Sequence, residues 1–440
     1  MLIRFIVSNF LSFKEETEFN MLAGSLRTHQ HHVYSVGKVN ALKASAIYGA
    51  NGAGKSNLIQ AIDFLKTAVI EGKINHAIEN NKFKLDKTYK EKPSTFEAEF
   101  SIGKKIYTYG VSINHTTIEE EWLYETGTSA NGKLIFERKK SKNNKIKIDF
   151  ADKYKETPKQ KLLIELLEDN ILKHDELLLS KTDFLKIKEI DKIKDWFENG
   201  LIIIYPQSKF AGLAPMFYAS EGFADFTNTF FDKMDTGVSE LGLKNIDFEK
   251  YFADDEIKEE VRQNLSNDKF YIFEDVIVTK ENNKNVVKKV VSFHKDNLDK
   301  KVEFEIDEES DGTQRLLDFI PAFFKISSED VTFIVDEIDQ SIHPSLLFSL
   351  VEKIMNDKNT KGQFIFTTHE SNLLDFDIFR QDEIWFAEKD RKIGSTKLYS
   401  LNEYKPRYDL DIRKGYLKGR FGAVPFLADL ETLNWANHGI

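Results

Sequence analysis

The chain has no cysteine. That excludes disulfides, thiolate zinc sites and a cysteine nucleophile. It also suits a reducing compartment, so a cytoplasmic protein is the expectation. Long apolar runs are missing too. No stretch approaches the roughly 20 residues that a membrane helix requires, and Met1–Phe13 lacks the basic start and apolar block of a signal peptide. No heptad pattern is sustained, which leaves no long coiled-coil arms. There is no internal repeat and no low-complexity linker. A surplus of positive charge is absent as well: the net charge is −10. Proteins that mainly coat nucleic acid are usually basic, so contact with nucleic acid would need a local patch. The best one is "ERKKSKNNKIK", Glu137 to Lys147. Its alternation and Asn pair read as a strand–turn–strand tip. A solvated hairpin is the simpler reading and a phosphate-binding surface the alternative.

What is present is a globular composition, 41% hydrophobic and 30% charged over 440 residues. Such a chain can bury a large core and form two domains, or one with a sizeable insertion. Its most informative stretch is "IYGANGAGKSNLIQAI", Ile47 to Ile62. Ala44 to Tyr48 is short and apolar, like a buried strand. Gly49, Gly54, Lys55 and Ser56 fit G-x4-G-K-[ST], and Leu58, Ile59, Ile62 and Leu65 then recur at helical spacing. Glycines let backbone N–H groups turn toward phosphates, and the helix N-terminus adds a favourable dipole. Asn51, Gly52, Ala53, Gly54, Lys55, Ser56 and Asn57 are therefore candidate ATP-binding residues. Lys55 would reach the β- and γ-phosphates, and Ser56 would ligand Mg2+.

Around this motif the pattern is mixed. "LIRFIVS" near the start alternates like a half-buried strand. Four period-two stretches between Ser94 and Lys140 suggest an antiparallel meander with turns at Gly103, Asn114 and Asn131–Gly132. Thr157 to Glu198 turns helical, with charges suited to a solvated lobe. "LIIIYP" reads as a buried strand, residues 216–266 as helical and loop-rich, and the segment after Lys269 returns to strands. The expected domains are 1–150, an ATPase half with the P-loop; 151–268, a mainly helical insertion; and 269–440, the other ATPase half. "RTHQHHVYS" places His29, His31 and His32 close together. No carboxylate or Cys sits beside them, so the sequence assigns them no metal.

Three further segments carry chemistry. "VTFIV" (Val331 to Val335) ends in Asp336 and Glu337, a buried strand followed by a carboxylate pair. Asp336 would hold Mg2+ together with Ser56, and Glu337 would polarise water as general base. "EESDGTQRLLDF" puts Ser310 and Gly312 at the start of a helix, a second phosphate-binding device. One nucleotide does not need two such devices from one subunit, so Ser310 and Gly312 of one protomer would close over ATP held by Lys55 of another. Pro321 should kink or end that helix. "GQFIFTTHE" places His369 behind another buried strand, where it could bond a γ-phosphate and sense its loss.

In this order, the segments resemble the ABC-type ATPases of the SMC and OLD-like branch. "FIVSNFLSF" and "GANGAGKSNL" resemble that branch's opening strand and P-loop. "ESDGTQRLL", "DEIDQSIHP", "FTTHESNLLD" and "DIRKGYLKGRFGAVPF" resemble the bacterial ATPases called RloA or AbiL-type. The resemblance covers roughly 1–125 and 270–430. It implies an α/β fold, an ABC-type P-loop ATPase head with a mixed sheet, flanking helices, an antiparallel β subdomain and the helical insertion. It maps Ser310, Gly312 and Arg315 onto a signature that acts across the dimer, and Asp339 and His343 onto a loop crossing the same interface. It further implies a homodimer or higher homo-oligomer, and a separate toxin or nuclease effector in an anti-phage, abortive-infection system. Departures exist. The signature reads S-D-G-T-Q-R, Gln207 is only a weak candidate for a Q-loop, and no nuclease domain follows His369. An SMC-like DNA-clamping ATPase is the alternative. A transporter subunit fits less well, given the N-terminal strand and signature form.

Overall fold

The computed structural model describes residues 1–127, 132–183, 186–209, 212–234, 236–265 and 270–424. Asn131 of the expected turn, and the end of the "DIRKGYLKGRFGAVPF" segment, lie outside the described residues. The chain forms two compact units. One comprises 1–206, 329–338 and 351–440; the other comprises 207–328 and 339–350.

The first unit is built on a six-stranded sheet. Its order is Leu201–Ile204, Thr332–Val335, Gln363–Thr367, Ala44–Tyr48, Ile384–Lys389 and Thr396–Ser400. Neighbours pair in parallel except the last two, which are antiparallel. Every residue of Ala44–Tyr48, Thr332–Val335 and Gln363–Thr367 is buried. That explains why these strands read as unbroken apolar runs: a parallel sheet is covered on both faces. The helix Lys55–Glu71 buries Leu58, Ile59, Ile62 and Leu65, the face that the sequence spacing marked. A seven-stranded antiparallel sheet adds the expected meander, running from Ser94–Ile102 through Ile146–Phe150, with Leu2–Ser8 and Thr17–Asn20 on its other side.

The hairpin of Lys133–Lys140 and Ile146–Phe150 confirms the strand–turn–strand reading of the basic stretch. One of its charges is not available as a patch. Arg138 is fully buried 3.7 Å from Glu121, and it donates to the Lys173 carbonyl at 3.0 Å and the Glu176 carbonyl.

The second unit carries its own antiparallel sheet, ordered Glu240–Asp247, Lys284–Lys295, Val276–Glu281 and Phe270–Phe273, with Lys301–Glu305 also pairing Lys284–Lys295. Phe248, Phe252, Val261, Leu265, Val276, Val278 and Val287 form a core there. The units do not follow the bounds of 150 and 268 read from the sequence. Leu167, Leu177, Leu178, Ile190, Ile193, Trp196 and Phe197 belong to the first unit's core, and Trp196 stacks on Phe100 at 4.1 Å. The helical pattern of 157–198 is real, but its apolar face is spent inside the first unit. Pro321 does not end the helix, which runs Asp311–Ser328 and continues past it. Pro321 is buried among Phe319, Ile320 and Ala322, and burying that face offsets the lost hydrogen bond. Among the described residues, no helix is long and apolar enough to cross a membrane.

Candidate nucleotide site

Three adjacent parallel strands of the first unit end beside one another. Ala44–Tyr48 leads into the P-loop, Gln363–Thr367 into His369, and Thr332–Val335 into Asp336 and Glu337. The P-loop strand and the carboxylate strand are separated by one strand, so the residues that follow it fall between them. Sheet order thereby gathers side chains that lie some 300 positions apart in sequence.

The P-loop turns tightly. Gly54 has φ 106°, and a Cβ there would sit 2.1 Å from Thr396 Oγ1 and 2.8 Å from Ser12 Oγ. Gly49 is equally constrained, because a Cβ would meet the Ala387 carbonyl at 2.4 Å. At both positions the neighbouring chain packs too closely for any residue but glycine. Asn51 and Gly52 are exposed, Ser56 and Asn57 half-buried, and Ala53, Gly54 and Lys55 buried. Lys55 Nζ donates to the Gly49 carbonyl at 2.9 Å and lies 2.8 Å from His369 Nε2.

The loop is held by residues that no local pattern singles out. Thr396 Oγ1 donates to the Ala53 carbonyl, and lies 2.7 Å from Ser12 Oγ. Asn57 Nδ2 donates to the same Ser12 hydroxyl at 2.7 Å. Thr396 N also donates to the Ser12 carbonyl at 2.8 Å. A chain segment near the N-terminus and a strand near residue 400 thus brace the P-loop from outside.

On the carboxylate side, Asp336 is buried. Thr367 Oγ1 donates to Asp336 Oδ1 at 2.6 Å and accepts from Glu337 N at 2.8 Å. Glu337 is half-buried with φ 50°. A non-glycine residue in this region costs roughly 1 kcal/mol, and the Thr367 hydroxyl holds it there. Tyr205, just beyond Leu201–Ile204, donates from Oη to Asp63 Oδ2 at 2.9 Å. Burial, and then the charge of Asp63, push its phenol pKa up.

The sequence-selected residues of the second unit form a separate set. Ser310 caps the helix Asp311–Ser328, its Oγ accepting from Thr313 N at 3.2 Å. Gly312 is required by close approach: a Cβ there would lie 2.8 Å from the Ser341 carbonyl. That contact brings the Ser310–Gly312 turn against the Asp339–His343 loop. His343 Nδ1 accepts from Ser345 N at 3.2 Å and so caps the helix Pro344–Asn356. Ser310 is exposed and Gly312 half-buried. Arg315 is 4% exposed, its guanidinium 4.4 Å over the Phe319 ring. To reach a nucleotide on another protomer it would have to leave that ring.

The parallel core, the P-loop, the carboxylate pair one strand removed and the antiparallel subdomain define the class: an α/β P-loop nucleotide-binding fold with a mixed sheet and an antiparallel β subdomain. Residues 44–375 match the family described as "AAA domain, putative AbiEii toxin, Type IV TA system"; this spans well over half of the chain, which therefore belongs to that family. No curated protein matches the chain. Solved structures that resemble it include an SMC head bound to the C-terminal winged-helix domain of ScpA, at 15% identity and TM-score 0.45, covering 92% of this chain and 99% of the other. Another is the SMC head domain from Thermotoga maritima, at 11% identity and TM-score 0.38, covering 91% and 98%. A third is the SMC head with an extended coiled coil bound to the C-terminal domain of ScpA from Pyrococcus furiosus, at 13% identity and TM-score 0.42, covering 96% and 98%.

Proposed function

We propose that the chain is an ATP-hydrolysing enzyme whose protomers close around ATP, and that hydrolysis releases them. The observation that carries this is the gathering of Lys55, Asp336, Glu337 and His369 at the ends of three adjacent strands, where Thr367 holds Asp336 and Glu337 and Lys55 pairs with His369. Glycine at 49 and 54 lets the P-loop pack closely on Ala387, Thr396 and Ser12, and the backbone N–H groups of such a loop suit phosphate oxygens. The Ser56 hydroxyl and Asp336 carboxylate are hard oxygen donors suited to Mg2+. Mg2+ when bound would neutralise charge on the phosphates.

In this reading the chain's residues divide the work. Lys55 binds the β- and γ-phosphates. Asp336 and Ser56 hold the metal. Glu337, set outward by its backbone, takes a proton from the attacking water. His369 bonds the γ-phosphate and reports its loss. Ser310 and Gly312, with Arg315 if it leaves Phe319, complete the site of a second protomer. The minimal assembly is a homodimer, and larger homo-oligomers are compatible with it.

The family's description, which names a putative toxin of a type IV toxin–antitoxin system, supports a place in bacterial abortive-infection defence; the RloA/AbiL-type, OLD-like role as sensor or scaffold for a separate toxin or nuclease rests on the sequence resemblance alone. The cytoplasm is the compartment that a chain without cysteine suits. The test is complementation. Ser310→Arg protomers mixed with Lys55→Ala protomers should recover at most one working site per dimer. Recovery of activity at both sites would overturn the arrangement across the dimer.

A further inference from the structure

His29, His31 and His32 were set aside in the sequence because no acidic partner stood near them. The structure supplies one from the other end of the chain. His32 and Glu383 are both fully buried, with His32 Nδ1 3.0 Å from Glu383 Oε2. His29 Nε2 lies 2.7 Å from the Phe376 carbonyl. A carbonyl can only accept, so His29 carries its proton on Nε2 and presents Nδ1 as a lone pair. Glu383 Oε2 likewise occupies His32 Nδ1, which leaves Nε2 as the ring nitrogen open to a ligand. His32 Nε2 and His31 Nε2 are both buried without a hydrogen-bond partner. One ring nitrogen from each of the three histidines lies within 4.8 Å of the other two.

We propose that His29, His31 and His32 bind a divalent transition-metal ion of the zinc class, with Glu383 and the Phe376 carbonyl orienting two of the ligands. Three imidazoles with no carboxylate among them suit zinc, cobalt, nickel or copper and not magnesium or calcium. A carboxylate or carbonyl on the far ring nitrogen is the usual support of a metal-binding histidine. Tetrahedral nitrogen ligands at about 2.0–2.1 Å from zinc stand about 3.3 Å apart, so the three rings close inward on binding. His29 and His32 now stack with 19° between their planes, and one of them must turn to aim at a common centre. Water or another small donor completes the fourth position.

The surroundings tolerate the added charge. Arg380 is neutralised by Asp382, with Nε to Oδ1 at 2.9 Å and Nη2 to Oδ2 at 2.8 Å. Lys43 donates to the Met355 and Asp357 carbonyls, and burial lowers its pKa to about 8. The ion would clip the 29–32 segment to residues 376–383, which lead into the core strand Ile384–Lys389.

The experiment uses the untagged full-length protein, stripped with chelator and dialysed. Zinc is added and bound metal is read by mass spectrometry. Cobalt is titrated for its visible spectrum, and melting is followed with and without zinc. The expected result is about one equivalent of zinc, a cobalt spectrum of a nitrogen-rich tetrahedral site, and a zinc-dependent rise in Tm. His31→Asn, at a half-buried position, should fold and lose all three signals. Glu383→Gln should weaken affinity by about 10–100-fold. Lys55→Ala should leave the stoichiometry unchanged. Well under a tenth of an equivalent with no change in melting would overturn the proposal, and so would equal uptake by His31→Asn.

Discussion

Lys55 Nζ stands 2.8 Å from His369 Nε2. A lysine ammonium only donates, so His369 Nε2 accepts and its ring carries the proton on Nδ1. The P-loop cation and the histidine behind the next strand are thus one hydrogen-bonded pair. In the proposed reading a γ-phosphate oxygen would take over the Lys55 proton, and His369 Nε2, released, would carry a proton of its own to donate to the phosphate, which couples the histidine to the state of the phosphate.

The pair predicts a split between two substitutions. Lys55→Ala should abolish ATP binding. His369→Ala should bind ATP within a few-fold of wild type and hydrolyse it about 10²–10³ times more slowly, the scale seen when one transition-state hydrogen bond is removed. Nucleotide titration and steady-state hydrolysis, run side by side, distinguish the two. Equal loss of binding in both variants would mean that His369 is merely structural.

Thr396 braces the P-loop without being part of it. Thr396→Val keeps the shape but leaves the Ala53 carbonyl without that donor and the Ser12 hydroxyl without that partner. A net hydrogen bond contributes about 1 kcal/mol, so ATP affinity should fall roughly five- to tenfold with the turnover rate little changed. Thr396→Ser should restore it. A loss of turnover with unchanged affinity would contradict a bracing role.

Thr367 holds both carboxylate residues, Asp336 through its side chain and Glu337 through its backbone N–H. Thr367→Val should destabilise the protein by about 1–3 kcal/mol, because buried groups lose a partner. It should also slow hydrolysis more than it weakens binding, since the backbone that aims Glu337 is released. Chemical denaturation and hydrolysis rates check the two effects separately.

His31 gives a pH dependence. Burial, then the charges of His32, Lys43 and His29, lower its pKa from 6.5 to about 4 in the folded protein. The unfolded chain therefore takes up the proton first, and the contribution to stability is lost as pH falls through 6.5 toward about 4. In excess chelator, the stability of wild type relative to His31→Asn should decline over that window and level off below it. A difference that stays flat between pH 7 and 4 would show that His31 is not held neutral.

How much of this was legible in the sequence depended on distance along the chain. The P-loop, Asp336–Glu337 and the strand before His369 could be read because each is a short segment whose meaning is local. The Leu58, Ile59, Ile62 and Leu65 face marked its helix for the same reason. Thr367 was invisible as a ligand of Asp336, because only the register between two parallel strands brings them together. Ser12 and Thr396 are 384 positions apart, and His32 and Glu383 are 351 apart. No periodicity reports such pairs. The unit boundary at Pro206 lies just beyond the half-buried strand Leu201–Ile204, where composition does not change. Arg138 read as part of a basic surface because a strand pattern cannot show that one of its charges is paired inside.

The central claim is that ATP joins protomers and hydrolysis parts them. The most direct measurement is light scattering on Glu337→Gln with Mg2+ and ATP, against the same protein without nucleotide. Glu337→Gln should bind ATP, hydrolyse it slowly and accumulate at twice the protomer mass or more, while Lys55→Ala stays at one protomer mass under the same conditions. A Glu337→Gln protein that binds ATP yet keeps the same mass with and without it would contradict the claim.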